Sequence, residues 1–272
     1  MNGSNEGVEI SPETMSALGT RGIDALAGVS LQLARGETLG IVGESGSGKT
    51  TLGRCLARFA VPTSGDILID GASVTGMSSA DAHSYCKRVQ MVFQDPFRSF
   101  NPRRTVGRTL AEGPMNFGVN ASEVHARMLK MLELVSMDPG SIDRFPHEFS
   151  GGQRQRLSIA RALMMEPEIL IADEAVSALD VSVQAQILDL LESIRKRLGV
   201  SMVFITHDLR VAARLCHRIA VMQHGKVVEI GSAQDVFLRP ASAYARELVA
   251  AIPGQAGTQA SAHKFEALAY GL

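Results

Sequence analysis

Short apolar runs alternate with longer amphipathic stretches along most of the chain. ETLGIVG at 37–43 has the pattern of a buried strand, and the segment after it carries Leu52, Cys55, Leu56 and Phe59 on one helical face. DILIDG and VQMVFQ read as further strands. From Pro96 to Met165 the pattern turns helical, with Asn120 and Glu123 spaced as an N-terminal capping pair. Val124, Met128, Met131, Leu132 and Val135 then form an apolar stripe that predicts core rather than a cofactor site. EILIAD is a strand, and Val183, Ile187, Leu190, Leu191 and Ile194 mark a helix. SMVFIT, LRVAARLC and RIAVMQHGKVVEIG follow as strand, helix and a hairpin turning at His224-Gly225. This alternation predicts an α/β sheet layered with helices and interrupted by a helical block.

Composition narrows the class. The chain has 272 residues, 45% of them hydrophobic and 20% charged, with a net charge of −1. That balance gives no electrostatic case for a nucleic-acid partner. No apolar run approaches the ~18 residues that would span a bilayer. The opening MNGSNEGVEISPETMSALGTRG lacks the basic start and apolar stretch of a signal peptide. Its Gly, Ser, Asn and Thr content predicts a flexible segment over 1–22, and 254–272 reads as a tail for similar reasons. Cys55, Cys86 and Cys216 lack metal-ligand spacing and are expected as free thiols, the first and last buried, which fits a reducing cytosol.

Chemistry concentrates in a few stretches. GESGSGKT, Gly43–Thr50, fits the phosphate-loop pattern between a strand and a helix. Its backbone N–H groups would wrap phosphate oxygens, which side chains would obstruct, and the helix would direct its positive N-terminal end at them. Lys49 would reach the β/γ-phosphates and the Thr50 hydroxyl would ligate Mg²⁺. Downstream, Asp173 at the end of an apolar strand would hold Mg²⁺, and Glu174 would orient and activate the attacking water. His207 follows the next strand, and in a parallel sheet both strand ends would open on one crevice. Ser150-Gly151-Gly152 at a helix start makes a second anion cradle. One nucleotide does not need two cradles from one chain, but two chains packed head to tail would use both.

Together these residues resemble the ATP-binding subunit of an ABC transporter over roughly Ala25 to Pro253. The resemblance places the Walker A motif on Gly43, Glu44, Ser45, Gly46, Ser47, Gly48, Lys49 and Thr50, with Thr51 adjoining. It puts the Q-loop on Gln94, also a Mg²⁺ ligand, and the signature on Phe149, Ser150, Gly151, Gly152 and Gln153. The Walker B strand falls on Ile169–Asp173, the catalytic glutamate on Glu174, the D-loop on Ser177–Asp180 and the switch histidine on His207. The implied fold is a P-loop NTPase of the ABC nucleotide-binding type: a RecA-like core, an antiparallel β-subdomain and an inserted α-helical subdomain. The ATP-binding domain would occupy 23–253 and its helical part about 96–165.

FQDPFRSFNPRRTVG, DVSVQAQILDLL and RPASAYARELVAAIP are similar to stretches of oligopeptide, dipeptide and nickel importers. The resemblance therefore implies an ATPase bound to the cytoplasmic face of the inner membrane. Its expected cofactors are ATP and Mg²⁺. Its expected partners are a second ABC ATPase subunit (a paralogue or a second copy), two permeases and a separate solute-binding protein. An ABC ATPase with a non-transport role and an importer of nickel or another small solute are the alternatives. The chain departs from the family pattern at Phe149, usually leucine, and at Ala175, usually proline, neither of which is expected to disturb the chemistry. No cysteine follows Cys216, so no C-terminal iron–sulfur centre is expected. No aromatic residue precedes Phe59, although the family stacks adenine on one there. Base discrimination should therefore be weak, with ATP and GTP binding at similar affinity in equilibrium titrations; a strong preference for ATP would show that another group holds the adenine.

Overall fold

The computed structural model describes residues 7–18, 24–96 and 99–252. The chain divides into two compact units, one of 1–86 with 201–272 and one of 87–200. In chain order the first unit contributes β1 (Gly7–Leu18), β2 (Asp24–Ala34), β3 (Thr38–Val42), α1 (Lys49–Leu56), β4 (Ile67–Ile69), β5 (Ala72–Ser73) and α2 (Ser79–Arg88), at whose end the second unit begins. The second holds β6 (Val89–Val92), α3 (Val106–Asn116), α4 (Ala121–Leu134), α5 (Gly151–Leu163), β7 (Ile169–Asp173) and α6 (Val181–Leu198). The first then resumes with β8 (Ser201–Thr206), α7 (Leu209–Leu215), β9 (Arg218–Gln223), β10 (Lys226–Ser232), α8 (Ala233–Leu238) and α9 (Ala243–Ala250).

The first unit contains two sheets. One is antiparallel, in the order β2-β1-β4-β5. The other runs β10-β9-β3-β8, with β3 parallel to both β8 and β9, and β10 returning antiparallel at the edge. β3 and β8 are buried at every residue, which explains why ETLGIVG and SMVFIT are continuous apolar runs rather than alternating ones. Helix α1 packs on β8 and α7 on β3, so the apolar face of α1, Leu52, Cys55 and Leu56, meets the sheet. The β9–β10 turn is made by His224 at φ 48° and Gly225 at φ 74°, the left-handed pair that matches strand twist in a two-residue hairpin.

β1 lies within 1–22, the stretch whose composition reads as a flexible segment. Its backbone pairs antiparallel with β2 from Gly7↔Ala34 onward, and with β4 from Val8↔Ile69 to Ile10↔Ile67. Local composition argues for loose order, and it does not register the ladder partners of this stretch on β2 and β4. The 254–272 tail lies outside the described residues.

In the second unit β6 and β7 run parallel, α5 packs on β6, and α3, α4 and α5 pack on one another. Asn120 caps α4 by accepting the Glu123 N–H at 2.9 Å, and the stripe from Val124 to Val135 is buried. Two 3-10 turns, Pro139–Asp143 and Pro146–Glu148, lead into α5. Cys55 and Cys216 are buried free thiols; burial pushes the Cys55 thiol up to about 11 and raises that of Cys216 further, so both are inert fillers.

Candidate functional site

The phosphate loop belongs to the first unit. It leaves β3 at Gly43, where a Cβ would stand 2.2 Å from the Met222 carbonyl oxygen on β9, so only glycine passes. Gly46 and Gly48 take φ 84° and 102°, and a Cβ at Gly48 would meet the Ala25 carbonyl at 2.4 Å. Lys49 is 5% exposed, and its ammonium donates to the carbonyls of Gly43 and Glu44, each at 2.7 Å, and to Ser47 Oγ at 3.4 Å. The cation is thus desolvated and held by the inner carbonyls of its own loop. Ser47 is buried, Thr50 and Thr51 are half-buried at the start of α1, and Glu44, Ser45 and Gly46 are exposed.

Strand register brings His207 to the same sheet edge. Val42 pairs with Thr206 in the parallel β3–β8 ladder, so Gly43 and His207 are the residues that leave the two strands at their C-terminal ends. His207 is exposed; beside it Asp208 caps α7 by accepting the Arg210 N–H at 2.9 Å.

The second unit repeats this logic with acidic chemistry. Val92 pairs with Ala172, so Gln94 and Glu174 both leave their strands at one end, and Gln94 Nε2 donates to Glu174 Oε2 at 2.8 Å. Asp173 ends β7 as a carboxylate only 5% exposed. Glu174 has φ 47°, a left-handed backbone that costs a non-glycine residue about 1–2 kcal/mol. The turn holds it there: the Ser177 N–H and hydroxyl both donate to the Glu174 carbonyl, at 3.1 and 3.0 Å, and Ala175 and Val176 are buried behind it. Backbone strain of this kind concentrates at working residues.

Ser150 starts α5 in a reciprocal cap: its Oγ accepts the Gln153 N–H at 3.3 Å and its N–H donates to Gln153 Oε1 at 2.9 Å. The glycine pair has a packing reason as well. A Cβ at Gly152 would lie 2.5 Å from Val183 Cγ1 on α6, whereas Gly151 has ordinary space. Phe149 is less neutral a departure than expected: its ring is buried with the Arg144 guanidinium 4.4 Å above it, a cation–π contact that leucine could not make. Asp180 stands at the N-cap of α6, where its carbonyl accepts the Gln184 N–H at 2.7 Å, and Val181 beside it is 84% exposed.

Sequence reasoning missed Tyr244. Its hydroxyl accepts the Glu44 N–H at 2.9 Å from 200 residues away, a contact that no local pattern signals. Among the described residues no cluster of three or more His, Cys, Asp or Glu could hold a metal ion. A Mg²⁺ here would need mixed oxygen donors, and the buried Asp173 carboxylate at a strand end fits that need. Backbone strain at Glu174 makes a direct test possible: Glu174→Gly should be more stable than Glu174→Ala by about 1 kcal/mol, the reverse of their order in a helix, as read by unfolding midpoints.

A family profile described as ABC transporter matches residues 26–177. A Brucella ovis protein named as a peptide import ATP-binding protein is 49% identical over 229 residues, 84% of this chain and 72% of the relative. The glutathione import ATP-binding protein GsiA of Pectobacterium atrosepticum is 46% identical over 235 residues, which span 86% of this chain and 38% of GsiA. Among solved structures, cbiO1 from Clostridium perfringens, part of the ABC transporter complex cbiONQ, matches with a TM-score of 0.78 and 29% identity over 85% of this chain and 90% of its own. The dimeric ATP-binding cassette MJ0796, in a post-hydrolysis state bound to ADP and Pi, matches with a TM-score of 0.73 and 28% identity over 83% and 98%. The chain belongs to the ABC transporter family, among its ATP-binding and ATP-hydrolysing subunits.

Proposed function

We propose that the chain powers import of di- or oligopeptides, as the ATPase of a complex with two membrane permeases and a separate solute-binding protein. The observation that carries the import reading is the 49% identity with the Brucella ovis relative, which runs through 84% of this chain. The glutathione importer relative points to the same substrate class, since glutathione is itself a short peptide. Among the described residues no helix is long and apolar enough to cross a membrane. In this reading translocation belongs to the permeases, and the ATPase works beside them at the cytoplasmic face of the inner membrane.

The residues take roles that follow from their chemistry. The loop from Gly43 to Thr51 holds the ATP phosphates, with Lys49 exchanging its loop carbonyls for the β- and γ-phosphate oxygens. Thr50, Asp173 and Gln94 are the residues that would offer oxygen ligands to Mg²⁺, which when bound would neutralise phosphate charge. Glu174 accepts a proton from the attacking water, and His207 steadies the γ-phosphate side. Gln94 Nε2 already donates to the Glu174 carboxylate, which orients that carboxylate. Ser150, Gly151, Gly152 and Gln153 present a helix start to the nucleotide of a second cassette, a paralogue or a second copy, with Asp180 at the shared boundary. The dimeric state of MJ0796 supports that arrangement.

Glu174→Gln should keep nucleotide affinity, lower turnover about 100-fold or more and accumulate ATP-bound dimers on size exclusion. Undiminished steady-state hydrolysis would remove Glu174 from the proton-accepting role. Purification of the tagged chain from gently solubilised host membranes tests the transport reading. Two permeases and a second ATPase are the expected companions; recovery without membrane protein, while a control transporter stays intact, would point to a non-transport ATPase.

A further inference from the structure

Tyr244 sits in the first turn of α9, and its ring is buried. A buried tyrosine ordinarily settles its hydroxyl on whatever polar group is near. Here that group is the N–H of Glu44, at 2.9 Å, one residue past the glycine at which the loop leaves β3. A second fastening lies three residues on, where the Gly225 N–H of the β9–β10 turn donates to the Ser47 carbonyl at 3.0 Å. Between these points the loop makes its own turn, Ser47 N–H to Glu44 carbonyl at 3.2 Å. Curvature of the phosphate loop is therefore imposed from outside at both ends of that turn.

The tyrosine is itself held. Glu229 on β10 accepts the N–H groups of Ala241 and Ser242, at 2.9 and 2.8 Å, and Ser242 Oγ accepts the Ala245 N–H at 3.0 Å to start the helix. One carboxylate thus fixes the entry of α9, and the helix delivers the phenol oxygen to the loop. Burial raises the phenol above its ordinary range.

We propose that Tyr244 is a positioning residue for ATP binding, acting through the Glu44 N–H to hold the phosphate loop in its receiving shape. The proposal rests on the reading that this loop binds ATP. Without the acceptor oxygen the Glu44 N–H turns to another partner, the loop relaxes, and the nucleotide must restore its curvature on binding.

The test uses the full chain, with ATP affinity from equilibrium titration and the unfolding midpoint without nucleotide. Tyr244→Phe keeps the ring and removes the acceptor; the expected result is an ATP Kd raised about fivefold to tenfold, with faster amide exchange at Glu44 to Gly46. A Kd within twofold of the parent overturns the proposal even if the midpoint falls, since that is what a tyrosine serving only to pack α9 would give. Should Tyr244→Phe not fold, Glu229→Ala loosens the start of α9 without touching the phenol and should raise Kd in the same direction; an unchanged Kd there overturns the proposal instead. Lys49→Ala separates the two layers. If it binds ATP as well as the parent chain, the phosphate-loop reading fails and the proposal falls with it. If it loses ATP while Tyr244→Phe does not, only the role of Tyr244 is lost.

Discussion

At Gly43 the backbone leaves β3 so close to β9 that a Cβ would stand 2.2 Å from the Met222 carbonyl, and much of the first unit answers to that crowding. A loop that wraps phosphate must bring its own amides inward, and such a backbone has no room for side chains at its tightest points. Parallel pairing of β3 with β8 and β9 sets the loop between two strand ends. The β9–β10 turn then supplies Gly225 to the Ser47 carbonyl, and α9 supplies the Tyr244 oxygen to the Glu44 amide. Inside this frame Lys49 keeps a buried charge whose cost is offset by the loop carbonyls it touches. Phosphate oxygens are stronger acceptors for the same ammonium, so the loop holds the cation where an anion can claim it.

The second unit stores its readiness differently. Glu174 is kept in a left-handed backbone by the turn after β7, which aims its carboxylate at Gln94 rather than back along the strand. At the start of α5 the reciprocal cap satisfies the N–H groups of Ser150 and Gln153, and the close approach of Gly152 to Val183 seats that helix start against α6. Arg144 over the Phe149 ring secures the strand-like residue just before it. In a glycine pair that reads as a helix breaker, Gly152 is therefore explained by close packing on Val183, while Gly151 meets only ordinary contacts.

Much of this was legible beforehand because it is local. Continuous apolar runs gave β3, β7 and β8 their places, the cap at Asn120 marked α4, and the spacing from Gly43 to Thr50 marked a glycine-rich loop between strand and helix. Other features were not. β1 depends on ladder bonds to β2 and β4, α2 on a stretch with little apolar periodicity, and the partner of Phe149 on a 3-10 turn that folds Arg144 over its ring.

The division follows from the range of the forces involved. By itself the sequence determined the chemistry that each short stretch can perform: glycines where backbone must approach an anion, a lysine and threonine after them, a carboxylate pair at the end of an apolar strand. Those properties are set by covalent structure, side-chain size and the periods of helix and strand, all of which act within a few residues. Tertiary structure alone decided which backbone amide Tyr244 would hold, which carboxylate Gln94 would meet and which carbonyl would crowd Gly43. Each of these is a contact of about van der Waals or hydrogen-bond length between residues far apart in the chain. Such a contact exists only once strand register and helix packing have been fixed to within an ångström, and no local pattern carries that information.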